Sequence, residues 1–240
     1  MSSRRILLIL FILLFGGLAG YWALRPSPID RRDPIVGSDA TAVRVLPFAT
    51  PFDLDRLPPG WTHRKFWFTR PMQLSFVTFE GKGALRCQTD NSGSMLLRAT
   101  DIAIADYPLM TWDWFVERPV SGEVDEATTA GDDHPARLYL EFTDTAGGTY
   151  AAQAIWSNAR FAPGDYKVIG GIQQLVVDGL AANSGKWRAE KVDLAALYAY
   201  VSGRSDAGRL TTVGLSCDTD NTGGSSIAYT GDVTVQRPPS

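Results

Sequence analysis

The feature that most constrains this chain is its punctuation: short apolar runs, each closed by a turn signal. Leu57-Pro58-Pro59-Gly60, Asp90-Asn91-Ser92-Gly93, Asp144-Thr145-Ala146-Gly147-Gly148, Asp178-Gly179 and Asn183-Ser184-Gly185 recur along the sequence. Proline presets one turn dihedral, glycine reaches positive φ, and Asp or Asn side chains bond neighbouring backbone amides. Runs this short suit strands better than helices. The sequence therefore predicts strands at 74–79, 84–88, 95–99, 109–116, 137–142, 149–156, 173–177, 187–192, 210–217 and 227–235. That many strands make two sheets, so an all-β sandwich or barrel is expected. One helix is expected at 194–201, where Leu194, Leu197, Tyr198 and Val201 follow the i, i+3, i+4, i+7 rule between an Asp193 cap and Gly203.

Residues 6–24 carry no charge, and 19 residues at about 1.5 Å each span roughly 28 Å, close to a bilayer's hydrocarbon core. Arg4 and Arg5 precede the stretch, and Tyr21 and Trp22 stand at its far end, where amphipathic rings prefer the interface. A retained transmembrane anchor is expected, with a cleaved signal peptide ending near Gly17-Leu18-Ala19 as the alternative. Either places the rest of the chain in the cell envelope, outside the cytoplasm. Residues 25–47, rich in Pro, Arg and Asp, read as a tether, and the β-domain occupies 48–240, its first apolar residues near Val43.

At 45% hydrophobic residues a domain of this size builds a full core, and a net charge of −3 argues against a nucleic-acid partner. Cys87 and Cys217 lie in predicted strands near opposite ends of the domain, either as a disulfide or as two buried thiols. With only His63 and His134 available and no paired cysteine spacing, zinc is disfavoured.

Three segments could carry chemistry. Met110, Trp112, Trp114 and Val116 share one strand face, which is core or, alternatively, a sugar-stacking platform; Trp61, Trp67 and Trp156 are harder to place. In Gly131-Asp132-Asp133-His134-Pro135-Ala136-Arg137, a polar loop leads into a strand whose outward residues are Arg137, Tyr139 and Glu141. Asp132, Asp133, His134, Arg137, Tyr139 and Glu141 are accordingly the candidate ligand-binding set, against the plainer reading of a capped turn with an ion pair. The tract Asp218-Thr219-Asp220-Asn221-Thr222-Gly223 matches the opening of a calcium loop of the EF-hand kind but meets Tyr229 where a bidentate Glu is required. Asp218, Asp220, Asn221 and Asp232 remain candidate metal ligands for a structural calcium, with an Asx-rich turn as the alternative.

Together, the 131–139 loop, Gly185-Lys186-Trp187, and the 218–223 tract leading to Ala228-Tyr229-Thr230-Gly231-Asp232-Val233 resemble an exported bacterial family, domain of unknown function 3047, across roughly Phe48 to Val235. More distantly, Trp187 to Leu194 and the closing Tyr229-x-Gly-Asp-Val233 are similar to jelly-roll carbohydrate-binding modules of the galactose-binding type. That resemblance implies a two-sheet jelly roll and, through Asp232, a structural calcium. Motifs of jelly-roll alginate lyases and glucanases are missing. The expected function is non-catalytic binding of an envelope glycan or small ligand by a membrane-anchored domain. The alternatives are an envelope hydrolase or lyase using Asp133 with Glu141 or His134 with Tyr139, and a structural or assembly partner.

Overall fold

The structure, a computed structural model, describes residues 28–120 and 124–238. Its strands, numbered in chain order, form two sheets. The eight-stranded sheet holds β1 (Ile35–Val36), β3 (Trp61–Lys65), β6 (Gly93–Ala103), β8 (Arg137–Thr143), β9 (Thr149–Ser157), β10 (Tyr166–Ile169), β11 (Ile172–Gly179) and β13 (Arg209–Asp218). Its order is β1-β6-β13-β8-β9-β11-β10, with β3 also pairing β6. The seven-stranded sheet holds β2 (Ala42–Leu46), β4 (Gln73–Phe79), β5 (Lys82–Asp90), β7 (Leu109–Arg118), β12 (Trp187–Asp193), β14 (Ser225–Thr230) and β15 (Val233–Gln236), ordered β2-β15-β7-β14-β5-β4 with β12 also on β7.

Alternation decides what lies between the sheets. Leu138, Leu140 and Phe142 of β8 enter the same core as Met110, Trp112, Trp114 and Val116 of β7. The tryptophan strand is therefore core: Trp114 stands edge-on to Trp112 at 5.4 Å and to Trp156 at 6.0 Å. Each such fully buried side chain contributes roughly 1.5–3 kcal/mol. Cys87 of β5 and Cys217 of β13 are joined as a disulfide, with Cα atoms 6.6 Å apart. The two strands face each other across the core rather than pairing in one sheet. Closing a loop of 130 residues contributes about 4–5 kcal/mol in the chain-entropy account.

The helix α1 (Leu194–Ser202) forms as its signals require. Asp193 accepts from the Ala196 amide, Gly203 takes the left-handed conformation at φ +67°, and Leu194, Leu197 and Tyr198 are buried. Two expectations are corrected. The strand at 227–235 breaks at Gly231-Asp232 into β14 and β15. Much of the expected tether, from residue 28 on, belongs to the sandwich: β1 pairs in parallel with β6, and β2 pairs with β15. Among the described residues no helix is long and apolar enough to cross a membrane, and residues 6–24 lie outside them.

Candidate functional site

Asp132, His134 and Arg137 are brought together on the outer face of the eight-stranded sheet, under the loop that precedes β8. Arg137 Nη1 donates to Gln153 Oε1 at 3.0 Å, and Nη2 donates to the Asp132 carbonyl at 2.8 Å and to Asp218 Oδ1 at 2.9 Å. His134 is fully buried, its Nδ1 2.7 Å from the Trp156 carbonyl. A carbonyl only accepts, so Nδ1 carries the proton and Nε2 offers a lone pair. Lys167 Nζ lies 3.1 Å from that lone pair and also donates to Asp132 Oδ1 and the Glu126 carbonyl, which occupies all three ammonium protons. Burial and the neighbouring Arg137 hold the His134 pKa below the usual imidazole value, so the ring is neutral. Burial opposes the Asp132 charge, but the charges of Arg137 and Lys167 hold its carboxyl well below the usual range. Gln174 completes the cluster with Nε2 3.0 Å from Asp132 Oδ1.

Asp133 points elsewhere. Its carboxylate accepts the Asn221 amide, the Thr222 amide at 2.7 Å and the Thr222 hydroxyl at 2.6 Å, latching the 219–224 loop. Tyr139 and Glu141 lie further along β8, beneath residues 29–31. Ile29 packs with Met95, Leu97 and Tyr139, and Arg31 pairs with Glu141 at 2.5 Å. The six residues expected to form one ligand-binding face are thus split between a buried cluster, a loop latch and a patch covered by the chain itself. Neither Asp133 with Glu141 nor His134 with Tyr139 forms an open acid–base pair.

The acidic tract is regrouped as well. Asp133, Asp218 and Asp220 each offer a carboxylate oxygen, and the three lie within 4.8 Å of one another. Gly93 permits this approach: a Cβ there would stand 2.8 Å from Asp220 Oδ1 and 2.9 Å from the Asp218 Cβ. Burial, partly offset by Arg137, pushes the Asp218 carboxyl up to about 7. Asn221 turns its side-chain amide to the Thr129 carbonyl. Asp232 is separate: it follows β14, accepts the Ala49 amide at 2.7 Å, faces Arg44 at 3.7 Å and borders a shallow trough on the seven-stranded sheet. It does not join the other three.

Open, unspent polar groups occur instead where edge strand β3 meets β4. A cleft of about 450 Å³ opens there, walled by Leu54, Leu57, Trp61 and Leu74, with Asp55, His63 and Lys65 also lining it. Phe52 packs at a tilt against Trp61, ring centres 4.6 Å apart, and holds that wall. His63 Nε2 is 2.9 Å from Ser94 Oγ, and burial followed by the charge of Lys65 keeps its imidazole below the usual value. Among the described residues neither Asp55 nor Lys65 is in an ion pair. Immediately beyond Lys65 the chain makes a turn of three aromatic residues, Phe66, Trp67 and Phe68, which are 39%, 57% and 97% exposed.

Sequence reasoning missed Gln153, Lys167 and Gln174, although outward polar residues at alternate strand positions were the available signal. It also passed over Phe66-Trp67-Phe68, whose signal is three consecutive aromatics with no alternation.

No curated protein matches this chain. Solved structures similar to it include the endoglucanase cel12A from Rhodothermus marinus, at 9% identity and TM-score 0.40, covering 75% of this chain and 93% of that one. A family 30 carbohydrate-binding module of a Clostridium thermocellum cellulosomal cellulase is similar at 10% identity and TM-score 0.40, over 70% and 83% of the two chains. The xyloglucanase domain of NopAA from Sinorhizobium fredii, in complex with cellobiose, gives 10% identity and TM-score 0.42 over 78% and 96%. The model of the family described as protein of unknown function (DUF3047) matches residues 59–234, so the chain belongs to that family.

Proposed function

We propose that this is an exported, membrane-anchored sandwich that binds a cell-envelope saccharide without catalysis, and that the ligand enters the cleft between β3 and β4. The observation that carries the reading is the cleft's mixed lining. Apolar walls at Trp61, Leu54 and Leu57 suit the C–H faces of a pyranose, while His63, Lys65 and Asp55 offer partners for hydroxyls or a uronate carboxylate. The Asp132 and Arg137 cluster supports the fold in this reading, because its charged groups are already paired.

The test is binding of the soluble domain to an array of envelope glycans, followed by titration calorimetry on any hit. Lys65→Ala and His63→Ala are expected to weaken binding about tenfold, the cost of losing one charge-assisted or buried hydrogen bond. Unchanged affinity in both variants, or no glycan bound by the parent, would sink the reading.

Calcium is proposed as a structural ligand of Asp133, Asp218 and Asp220, since hard carboxylate oxygens are its preferred donors. Melting in calcium is then expected at a higher temperature than melting in chelator, by about 2.7 kcal/mol of stability at a hundredfold excess over Kd. Identical curves would remove the ion.

A further inference from the structure

We infer that the turn Phe66-Trp67-Phe68 is a docking tip that seats this end of the sandwich in the interfacial layer of a lipid bilayer. The inference rests on the membrane reading of residues 6–24 and is separate from the saccharide cleft.

The tip is unfavourable for a domain alone in water. Phe68 is 97% exposed and takes φ +63°, a left-handed conformation that bulky side chains rarely adopt. Thr69 closes the turn by donating its amide to the Phe66 carbonyl, and Trp67 lies edge-on to Phe68 at 6.1 Å. Three adjacent exposed aromatics are an apolar projection, not the scattered single residues of an ordinary surface.

The course of the chain says what covers them. Ile35 and Val36 pair in parallel with Thr100 and Asp101 of β6. Toward the N-terminus, the Asp33 carbonyl meets Arg98, the Asp30 amide meets the Thr62 hydroxyl, and Ile29 packs against the cluster of Met95, Leu97 and Tyr139. The segment thus descends along β6 toward Ser94, which is paired with Lys65, the residue just before the tip. Four residue steps separate Pro28 from Leu24, the end of the apolar stretch, and they reach at most about 14 Å. A stretch embedded in a bilayer therefore holds this end of the sandwich against the same membrane. Arg64 and Lys65 precede the tip and Arg70 follows it, with Asp90 3.9 Å from Arg70; cations beside aromatic residues suit anionic headgroups and the interface.

Residues 28–240 suffice for the test, because among the described residues every buried core hydrophobic lies between Val45 and Val235 and the disulfide lies within that span. This fragment is mixed with phosphatidylcholine vesicles containing one-fifth phosphatidylglycerol, plain or brominated near the headgroup. The parent is expected to co-sediment and to lose tryptophan fluorescence to the brominated lipid. The Trp67→Ala/Phe68→Ala double variant should keep the parent's melting temperature and partition at least about tenfold less, and Lys65→Glu about fivefold less. Trp67→Phe should still bind while losing most of the quenching. A parent that stays in the supernatant, a double variant that binds like the parent, or a tip-dependent dimer in lipid-free solution would each overturn docking. Glycan binding is measured on the same fragment without lipid, so its loss would count against the saccharide cleft alone.

Discussion

The loop before β8 and the edge at β3 are both dense in polar and aromatic residues, and they differ in what those residues already touch. Around Asp132 the charged termini are matched: Lys167 has three acceptors and both Arg137 terminal nitrogens are bonded, with Arg137 Nε, among the described residues, the one cationic donor there left without a partner. Along β3, Lys65 and Asp55 are open to solvent around a cleft and the aromatics project outward. A buried charge is held only if its partners satisfy it, and a network whose charged termini already hold one another supports the fold and leaves little for a ligand. A ligand instead needs groups whose hydrogen bonds are still available. Motif density in the sequence does not separate the two cases.

That difference breaks most sharply at Arg137. Arg137→Ala leaves Asp132 and Asp218 buried without their guanidinium, and the expected loss is about 3–5 kcal/mol, read as a lower urea midpoint. Lys65→Ala, on the other region, is expected within about 0.5 kcal/mol of the parent. If Arg137→Ala kept the parent's stability and lost glycan binding, the two regions would have to exchange roles. Asp133→Ala is expected to cost less, about 1–3 kcal/mol, because it strands amides rather than a charge. Faster hydrogen exchange at the Asn221 and Thr222 amides is the local signature of a lost latch.

Much of the fold was legible because its causes are local. The Asp193 cap, the Gly203 stop, the alternation of 137–142 and the inward tryptophans of β7 each follow from a few neighbouring residues, and the structure forms them accordingly. What escaped depends on distant partners. β3 reads Trp-Thr-His-Arg-Lys, too charged to look like a strand, and it exists because β6 offers a free edge. The tether looked like a spacer because its prolines break local patterns, yet Ile29 and Arg31 find Tyr139 and Glu141 some 110 residues away. The site inference had the same weakness: correct alternation aimed Arg137, Tyr139 and Glu141 outward, and alternation does not reveal what covers an outer face.

A third polar group sharpens the contrast by being incompletely balanced. At the opposite edge, Arg188 pairs with Asp178 at 2.5 Å, while Glu190 accepts from Trp114 Nε1. Burial, then the adjacent Asp178, pushes Glu190 up to about 7. A carboxyl raised from about 4.3 in the unfolded chain binds more protons when folded, so stability falls as pH rises from about 4 to 7. Glu190→Gln should remove that slope, matching the parent near pH 4 and exceeding it at pH 8, by less than the Arg137 effect because the group is partly hydrated. Equal slopes in both proteins, from denaturant titrations across that range, would mean Glu190 is ionised at no cost.

The smallest expected effect has the opposite sign. Phe68 holds a left-handed conformation while burying almost nothing, so the folded chain bears a conformational cost with no packing return. Glycine adopts that conformation freely, although it also gains freedom in the unfolded chain, which offsets part of the relief. Phe68→Gly is therefore expected to raise stability by about 0.5–1 kcal/mol in chemical denaturation. The Asp132 region should show no such gain, since each residue there is already bonded in place. A stabilising tip substitution would mark the β3 edge as the part of the molecule where stability is given up for a contact outside the chain. A destabilising one would mean that Phe68 packs inward in solution, and the distinction between the two regions would fail at that residue.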